Sequence, residues 1–328
     1  MKNLLAYGLI LTSYFTNLPV ALAEASDYVP EPLLLRSEAL GQLFRSSPYA
    51  QRIRLGEEGA ARLSFSRTYA NFWGRDKRYI VDAETRDDAF RFHYQPSPLF
   101  ELYGAFSERG FTQSGTDTVA IKFHDFFGLG QDGRLDAPRH NTRIAIPDFD
   151  MNYNLSSVKE VLSRQIEAGV VWDLNKSFDL GINSSLAFFT TYETARGNPY
   201  YTYAIDGGAK LSASQSWGNF AVFGSLSLGV FDQRQEVSIA SYEQQWGLGF
   251  GSSYRFFDNH EVILQSLTYQ PLFQKMGQLS RESYEIHAAY RYTYEKVQLE
   301  IGLIENIFWV YNSPDWGVSA GLTYHFAN

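Results

Sequence analysis

The sequence predicts an all-β fold, a transmembrane antiparallel β-barrel of about 12 strands. Three observations predict it. Apolar and polar residues alternate with a period of two, short and long connections follow one another in turn, and aromatic residues gather at the segment ends on the apolar face. Phe, Trp and Tyr make up 16% of the 328 residues, yet mean hydropathy is −0.27. A polytopic helical membrane protein would need repeated apolar runs of about 18 residues, so that class is excluded.

The N-terminus predicts export. Lys2 precedes an apolar stretch at residues 4–11 and a small-residue site at Ala21-Leu22-Ala23, which is the pattern of a signal peptide over residues 1–23. We expect cleavage near Ala23 and location in the cell outer membrane. The chain contains no Cys, so it has neither a disulfide framework nor a cysteine for lipid anchoring.

Residues 24–59 precede the first predicted strand and form a separate N-terminal segment. Leu33–Leu35, Leu40, Leu43 and Phe44 lie between prolines and predict a short amphipathic helix. Three places are open for this segment: inside the lumen as a plug, on the surface of the inner leaflet, or in the periplasm as a tether.

The alternation is clearest in the last segment, residues 316–326. There Trp316, Val318 and the following even positions are apolar, and the odd positions are small or polar, which indicates a strand between two unlike surroundings. The barrel is predicted to occupy residues 60–328. Its twelve predicted strands are 60–69, 78–95, 99–113, 162–174, 177–190, 203–213, 219–232, 244–256, 261–271, 282–293, 296–307 and 316–326.

Every second connection is tight, and the others are longer, with one long loop at residues 114–161. Short turns on one rim and longer loops on the other are typical of outer-membrane barrels, and an even strand number leaves both termini in the periplasm. A secreted sandwich would place its aromatic residues in the middle of strands, facing inward. Here they gather at the strand ends. The ends beside the short turns carry Phe90, Phe92, Tyr94, Phe100, Trp172, Phe178, Phe220, Tyr254, Phe256, Tyr290, Tyr292, Tyr324 and Phe326, and the other rim includes Tyr69, Phe106, Phe188, Trp246, Tyr284 and Trp316.

The C-terminal strand also predicts partners. Leu322, Tyr324 and Phe326 alternate and end on an aromatic residue, as in the assembly signal of bacterial outer-membrane barrels, although Ala327 and Asn328 follow. We expect contact with the barrel-assembly machinery through this strand, and with outer-membrane lipids and lipopolysaccharide around the wall. The net charge of −8 argues against a nucleic-acid partner.

Three stretches carry a family resemblance: residues 52–65 (RIRLGEEGAARLSF), residues 124–134 (HDFFGLGQDGR) followed by Asn141, and residues 305–322 (ENIFWVYNSPDWGVSAGL). The chain resembles an uncharacterised family of exported Gram-negative outer-membrane β-barrel proteins, catalogued as a domain of unknown function. The resemblance runs from about Pro32 to the C-terminus. It implies an envelope location and a single barrel domain, and it implies no mechanism.

The long loop holds the densest group of ionisable residues. It could be a lid or constriction folded over or into the barrel, or a solvated loop whose glycines make turns. Its acidic and histidine pairs lack the spacing of a metal site, so we predict no metal. The loop candidates are His124, Asp125, Arg134, His140 and Asp148.

A second group of charges lies on the inward face near the short turns. It could form a selective constriction in a pore, or a salt-bridged network that fills the lumen of a narrow barrel. A twelve-stranded barrel lies between the packed and the open sizes, so strand number does not decide between these interpretations. The lumen candidates are Arg62, Arg91, His93, Arg255, Arg291 and His325.

The leading functional prediction is a channel or a solute-binding transport barrel of unknown specificity. One alternative is a lipid-modifying hydrolase, since some barrels of this size hydrolyse lipids. The His-x-Ser-Asn run of the barrel phospholipase family does not occur in the sequence, however, and we assign no catalytic residue and no cofactor. The other alternative is a closed structural or surface-interaction barrel.

Overall fold

The computed structural model describes residues 28–43, 45, 51–76, 79–131, 133–136, 142–146, 151–155, 161–195, 204–232, 241–274, 277–306 and 312–326. The predicted signal peptide and its cleavage site lie outside these residues. No helix in these ranges is long and apolar enough to cross a membrane.

Strands dominate the described chain. They are β1 (Ala61–Asp76), β2 (Tyr79–Ser97), β3 (Phe100–Phe111), β4 (Thr142–Ile146), β5 (Met151–Leu155), β6 (Val161–Asp173), β7 (Asn183–Glu193), β8 (Ala204–Trp217), β9 (Phe220–Val230), β10 (Gln244–Phe256), β11 (His260–Tyr269), β12 (Ser283–Tyr294), β13 (Val297–Glu305) and β14 (Trp316–Phe326). Two α-helices accompany them, α1 (Thr116–Phe127) and α2 (Leu174–Phe178), with 3-10 turns at Leu40–Leu43, Arg134–Asp136 and Gly277–Ser280.

Twelve of the strands close into an antiparallel barrel, which confirms the predicted fold class. Consecutive barrel strands pair as neighbours, β3 pairs with β6, and β1 pairs with both β2 and β14. The closing seam runs from Ala61 opposite Phe326 to Asn71 opposite Trp316. Closure leaves no edge in the barrel, so each strand has a hydrogen-bonding neighbour on both sides.

β4 and β5 lie outside the barrel count. They form a hairpin that pairs with β2 at Ile80–Asp82, beyond the end of the β2–β3 pairing. The region predicted as one long loop therefore carries a helix and a hairpin. We call the rim with the short β2–β3, β8–β9, β10–β11 and β12–β13 turns the turn rim, and the opposite rim, which bears this region, the loop rim.

Side chains alternate across the wall as the sequence predicts. On β2, Arg91 and His93 point inward and are buried, while Phe90, Phe92 and Tyr94 point outward with 42–51% of their surface exposed. The exposed aromatic residues near the turn rim also include Phe100, Phe178, Phe220, Tyr254, Tyr290, Tyr324 and Phe326. Near the turn rim the outer wall is therefore apolar and the inner wall polar, as a barrel surrounded by lipid requires.

Glycines on the inner face make room for rings from the neighbouring strand. A Cβ at Gly247 would lie 2.2 Å from the ring of Tyr269, and one at Gly251 would lie 2.3 Å from the ring of Phe223. Both rings point inward, and both belong to a cluster with Leu33 of the N-terminal segment. At these two positions an inward ring packs against the adjacent strand, and a larger residue would clash with it.

Three expectations about local structure are wrong. The N-terminal amphipathic helix is absent from the described residues: only Leu40–Leu43 are helical, as a 3-10 turn, and residues 28–39 are irregular. The strand predicted to begin at residue 177 begins at Asn183, because α2 occupies its start. Trp316, expected to face the surroundings at the loop rim, is buried because α1 covers it, with the ring of Phe123 6.5 Å away.

Candidate functional site

The described residues of the N-terminal segment lie inside the barrel. We call these residues, 28–43, 45 and 51–59, the inner segment. Tyr28 contacts Ser253 and Glu261 near the turn rim, and Arg45 reaches Asp206 near the loop rim. The chain then returns toward the turn rim, where the Leu55 amide donates to Asp173, and it enters β1 at Ala61. Of the three locations open to this segment, its described residues occupy the lumen.

Arg36 anchors the ascending part of the inner segment to the wall. Its guanidinium makes a two-point ion pair with Asp87 of β2, at 2.8 and 2.9 Å, and donates to Gln165 of β6 at 3.2 Å. Arg36 is only 2% exposed. A charge buried so deeply needs such partners, since an unpaired buried ion is costly.

Arg109 and Glu285 hold the turn of the inner segment from opposite sides. Arg109 of β3 donates to the carbonyl oxygens of Ser37 and Gln42 and pairs with Glu38 at 3.1 Å. Glu285 of β12 accepts hydrogen bonds from the Ser37 hydroxyl and from the amides of Glu38 and Ala39. These wall side chains satisfy backbone groups that a helix would satisfy internally, which explains why the segment stays extended.

The sequence-predicted lumen candidates meet the inner segment. Arg91 donates to the Leu34 carbonyl at 2.7 Å, and Arg291 donates to the carbonyls of Glu31 and Pro32 while pairing with Glu261 and Glu300. Arg62 pairs with Glu31 and Glu101, and His93 Nδ1 lies 2.7 Å from Glu101. Arg255 lies over the Tyr28 ring. His325 is the residue opposite Arg62 in the β1–β14 pairing. These contacts favour the salt-bridged network over an open charged constriction.

Glu31 is the acidic centre of this network. Arg52 donates to one of its oxygens at 2.5 Å, and Arg62 lies 3.4 Å from the other. Burial alone would raise the pKa of Glu31, but Arg52, Arg62 and Arg291 outweigh burial and hold that pKa well below its ordinary range. The carboxylate therefore stays ionised, and the two limbs of the inner segment remain joined at any physiological pH.

The wall residues that hold the inner segment were not all foreseen. Asp87, Glu285 and Gln265 make central contacts, yet they sit among the polar positions of ordinary alternating strands. Their one signal in the sequence is an ionisable or amide side chain at an inward mid-strand position.

A cavity remains between the inner segment and strands β8–β11, lined by residues that include Leu35, Lys210, Phe223 and Tyr269.

The loop candidates form a separate cluster on the outer face of the barrel. Arg134 pairs with Asp117 of α1 and with Asp315, and donates to Asn71. Asn71 alternates with the inward Ala70, so it points outward, and it is buried because α1 covers it. Helix α1 and the turn at Arg134–Asp136 therefore pack against the outside of the wall, the β4–β5 hairpin pairs with β2, and the described part of this loop does not form a constriction in the lumen.

Strand residues fix α1 in this place. Glu84 points outward on β2, and its carboxylate accepts hydrogen bonds from the amides of Gly115 and Asp117, the first free N–H groups of the helix. His124 lies 3.5 Å from Glu305 and 3.8 Å from Asp315, and these carboxylates raise its pKa against partial burial. The helix is thus held at both ends.

The other loop candidates do not join this cluster. Asp125 is exposed and accepts a hydrogen bond from Gln131. His140 and Asp148 lie outside the described residues. Within the described ranges, no group of three or more His, Asp or Glu side chains is arranged to hold a metal ion.

The family comparison covers almost the whole chain. A family model described as "Protein of unknown function (DUF3187)" matches residues 10–326. The chain belongs to the DUF3187 family. This membership confirms the resemblance seen in the sequence. No curated protein sequence matches this DUF3187 chain.

The chain is similar to several solved structures at low sequence identity. The COG4313 outer membrane channel from Pseudomonas putida is 10% identical, with a TM-score of 0.52, and the match covers 84% of this chain and 98% of that one. The Pseudomonas putida toluene transporter TodX is 8% identical, with a TM-score of 0.37, over 82% of this chain and 90% of that one. The CymD monoaromatic hydrocarbon channel is 11% identical, with a TM-score of 0.39, over 83% and 89%. The first of these likenesses shows that the DUF3187 chain shares the fold of an outer-membrane barrel.

Proposed function

We propose that this DUF3187 protein is an outer-membrane transport barrel for small polar or amphipathic solutes, and that displacement of the inner segment opens it. One observation carries the proposal: the lumen is filled by a separate segment that precedes the first strand, and not by the side chains of the wall alone. An eight-stranded barrel fills its own interior, whereas a twelve-stranded one encloses additional space. That space becomes a passage when the inner segment moves.

The contacts of the inner segment suit reversible displacement. They are largely hydrogen bonds and ion pairs, such as Arg36 with Asp87 and Arg109 with Glu38. When the inner segment leaves the wall, water can hydrogen-bond to the polar groups on both. The net free-energy cost of separating them is therefore far below the strength of each bond. The apolar contacts are fewer and centre on Leu33, Leu35 and Ile53.

Once the inner segment has moved, the inward face of the wall would present both charged and apolar side chains to a solute. Its inward face offers carboxylates, arginines and Lys210 beside the rings of Phe223 and Tyr269. Charges of both signs beside apolar surface suit polar or amphipathic solutes and do not select one charge. The fold shared with the COG4313 outer membrane channel supports a channel function of this kind.

Location and assembly belong to the same proposal. The pattern of Lys2, the apolar stretch and Ala21-Leu22-Ala23 supports export with cleavage near Ala23. The alternating C-terminal strand, with Tyr324 and Phe326 exposed, supports insertion by the barrel-assembly machinery. In this orientation the turn rim faces the periplasm and the loop rim faces the exterior.

A disulfide lock tests whether the inner segment gates the barrel. A Cβ at Gly321 of β14 would lie 3.6 Å from the Cβ of Leu34, within the range of a disulfide, and the chain has no other cysteine. We expect Leu34→Cys/Gly321→Cys to pass less solute in liposome swelling and planar-bilayer assays when oxidised, and to recover on reduction. The single variant Leu34→Cys should not respond to the reductant.

Two results would overturn the proposal. If the oxidised and reduced double variant pass solute equally, movement of the inner segment is not required. If neither the mature chain nor a variant lacking residues 28–59 passes ions or solutes, the protein is a closed structural barrel. The lipid-hydrolase alternative receives no support from His93, His124 and His287, because their polar partners are Arg62, Glu101, Glu305, Asp315 and Glu285, and none of these is a serine hydroxyl that could act as the nucleophile.

A further inference from the structure

Five charged side chains point outward, toward lipid, on four adjacent strands. They lie on β1, β2, β3 and β6, and we call them the charged row: Arg67, Arg86, Asp88, Glu108 and Arg164. The register places Arg67 opposite Asp88, Asp88 opposite Glu108, and Glu108 opposite Arg164. Below them the same face is apolar, with Phe65, Phe90, Phe106 and Ile166.

The row is internally paired but not neutral. Asp88 lies 2.5 Å from Arg67 and 3.0 Å from Arg86, and Glu108 lies 2.6 Å from Arg164 and 3.4 Å from Arg86. Three arginines and two carboxylates leave one positive charge. The arginine side chains are 37–43% exposed and the carboxylates only 16–23%, so the guanidinium groups form the outer surface.

The height of the row places it at the outer edge of the membrane. Glu108 lies eight residues along β3 from Phe100, the aromatic residue at the turn rim. At about 3.4 Å per residue and a strand tilt of about 40°, that distance spans about 21 Å of the wall, against an apolar band about 25 Å tall. The row therefore stands where acyl chains give way to headgroups in the outer leaflet.

The row is confined to one sector of the wall. The outward positions of β10 read Trp246, Leu248, Phe250, Ser252 and Tyr254, with no charge. Above the row, Glu84 is the next outward residue of β2 after Arg86, and it is occupied with the amides of α1. Its charge is thus directed to the helix and does not neutralise the row below.

We propose that the charged row binds the phosphate of a phosphorylated glycolipid in the outer leaflet, with the acyl chains on the apolar wall below. Arginine suits this ligand because its planar fork donates two hydrogen bonds to phosphate oxygens. The excess positive charge and the outward guanidinium groups meet an anion on the lipid side. Phe65 and Phe90, in contact with each other below the row, offer the surface for the chains.

The test uses the refolded full-length mature barrel in detergent and measures binding of purified lipopolysaccharide by native mass spectrometry and by thermal shift. The probe is compared with the same lipopolysaccharide after chemical removal of its phosphates. We expect at least a tenfold preference for the phosphorylated form. The variant Arg67→Gln/Arg86→Gln/Arg164→Gln should lose that preference, and the control Arg75→Gln/Arg143→Gln, exposed outside the row, should keep it.

A second variant changes the charge of the row in the opposite direction, so the proposal can still be tested if the triple variant does not fold. Asp88→Asn/Glu108→Gln removes the internal carboxylates and raises the charge of the row, so binding of the phosphorylated form should tighten several-fold and weaken with added salt. Equal binding of both forms by the unmodified protein would overturn the proposal, and so would an unchanged affinity in this variant. The row would then be a structural network or a contact for another protein.

Discussion

Substituting Gly247 by alanine tests whether inward rings determine the positions of glycine in the wall. The new Cβ would lie 2.2 Å from Cε1 of Tyr269 and 2.6 Å from the Ser227 hydroxyl. An ordinary contact needs about 3.4 Å or more, so the ring must shift by about 1.2 Å. The ring packs in one cluster with Leu33 and Leu35, and overpacking of this kind costs about 1–3 kcal/mol.

A matched control lies on the neighbouring strand. Gly224 points outward, and a Cβ there meets only the Gly249 carbonyl, at 3.5 Å. Because alanine is less flexible than glycine in the unfolded chain, Gly224→Ala should leave stability unchanged or raise it by about 0.5–1 kcal/mol. Urea unfolding in detergent, followed by the shift in gel migration on heating, measures both variants.

A double-mutant cycle separates the ring from other causes. Adding Gly247→Ala to Tyr269→Ala should cost less than adding it to the unmodified protein, because the clashing ring is gone. Equal costs in both backgrounds would show that the ring is not responsible. Equal stability of Gly247→Ala and Gly224→Ala would refute the reasoning altogether.

Three further predictions concern the inner segment and α1. Arg36→Ala removes the two-point ion pair with Asp87, but Asp87 keeps Arg109 at 3.0 Å, so the cost should be below the about 3–5 kcal/mol of a buried charge left unpaired; protease cleavage within residues 28–59 should still rise, and unchanged cleavage would contradict the anchoring role. The pKa of His124 is raised in the folded protein, so its contribution is complete below about pH 6.5 and is lost as the pH rises through the folded value. Hydrogen exchange of residues 116–127 should therefore accelerate at alkaline pH, and His124→Gln should remove that dependence beyond the intrinsic exchange rate. Glu84→Ala removes the acceptor for two helix amides and should weaken α1 docking by about 1–2 kcal/mol, seen as faster proteolysis near residue 115, whereas the exposed Glu57→Ala should have no such effect.

The strands were predictable because each barrel strand separates two unlike surroundings. β10 and β14 have the predicted bounds, residues 244–256 and 316–326. Prediction was weaker where protein covers both faces. β1 extends to Asp76 through Asn71 and Trp73, which α1 and the loop bury from outside, so the alternation fades there.

The polar stretch in β2 has a related cause. Asp82 and Glu84 lie beneath the outer loop region, and Arg86 and Asp88 belong to the charged row, so polar residues occupy both faces of the strand. The position of the inner segment could not be predicted, because its partners are remote in sequence. Ser37 and Glu285 are separated by 248 residues, and periodicity carries no information about such pairs. The alternation of the strands nevertheless identified Arg91 and Arg291 as lumen candidates, and both donate to backbone carbonyls of the inner segment.

The path of the inner segment has a mechanical consequence. Tyr28 and Leu55 both lie near the turn rim, while Arg45 lies near the loop rim. The described segment therefore enters and leaves the barrel at the same rim, as a loop of chain inserted from one side. No free end has to pass through the barrel for it to leave. A pull on residue 28 from the turn rim would load the contacts of Tyr28, Glu31, Arg36 and Arg45 one after another. The peak force would then be set by the strongest single contact group, and not by the sum of them all.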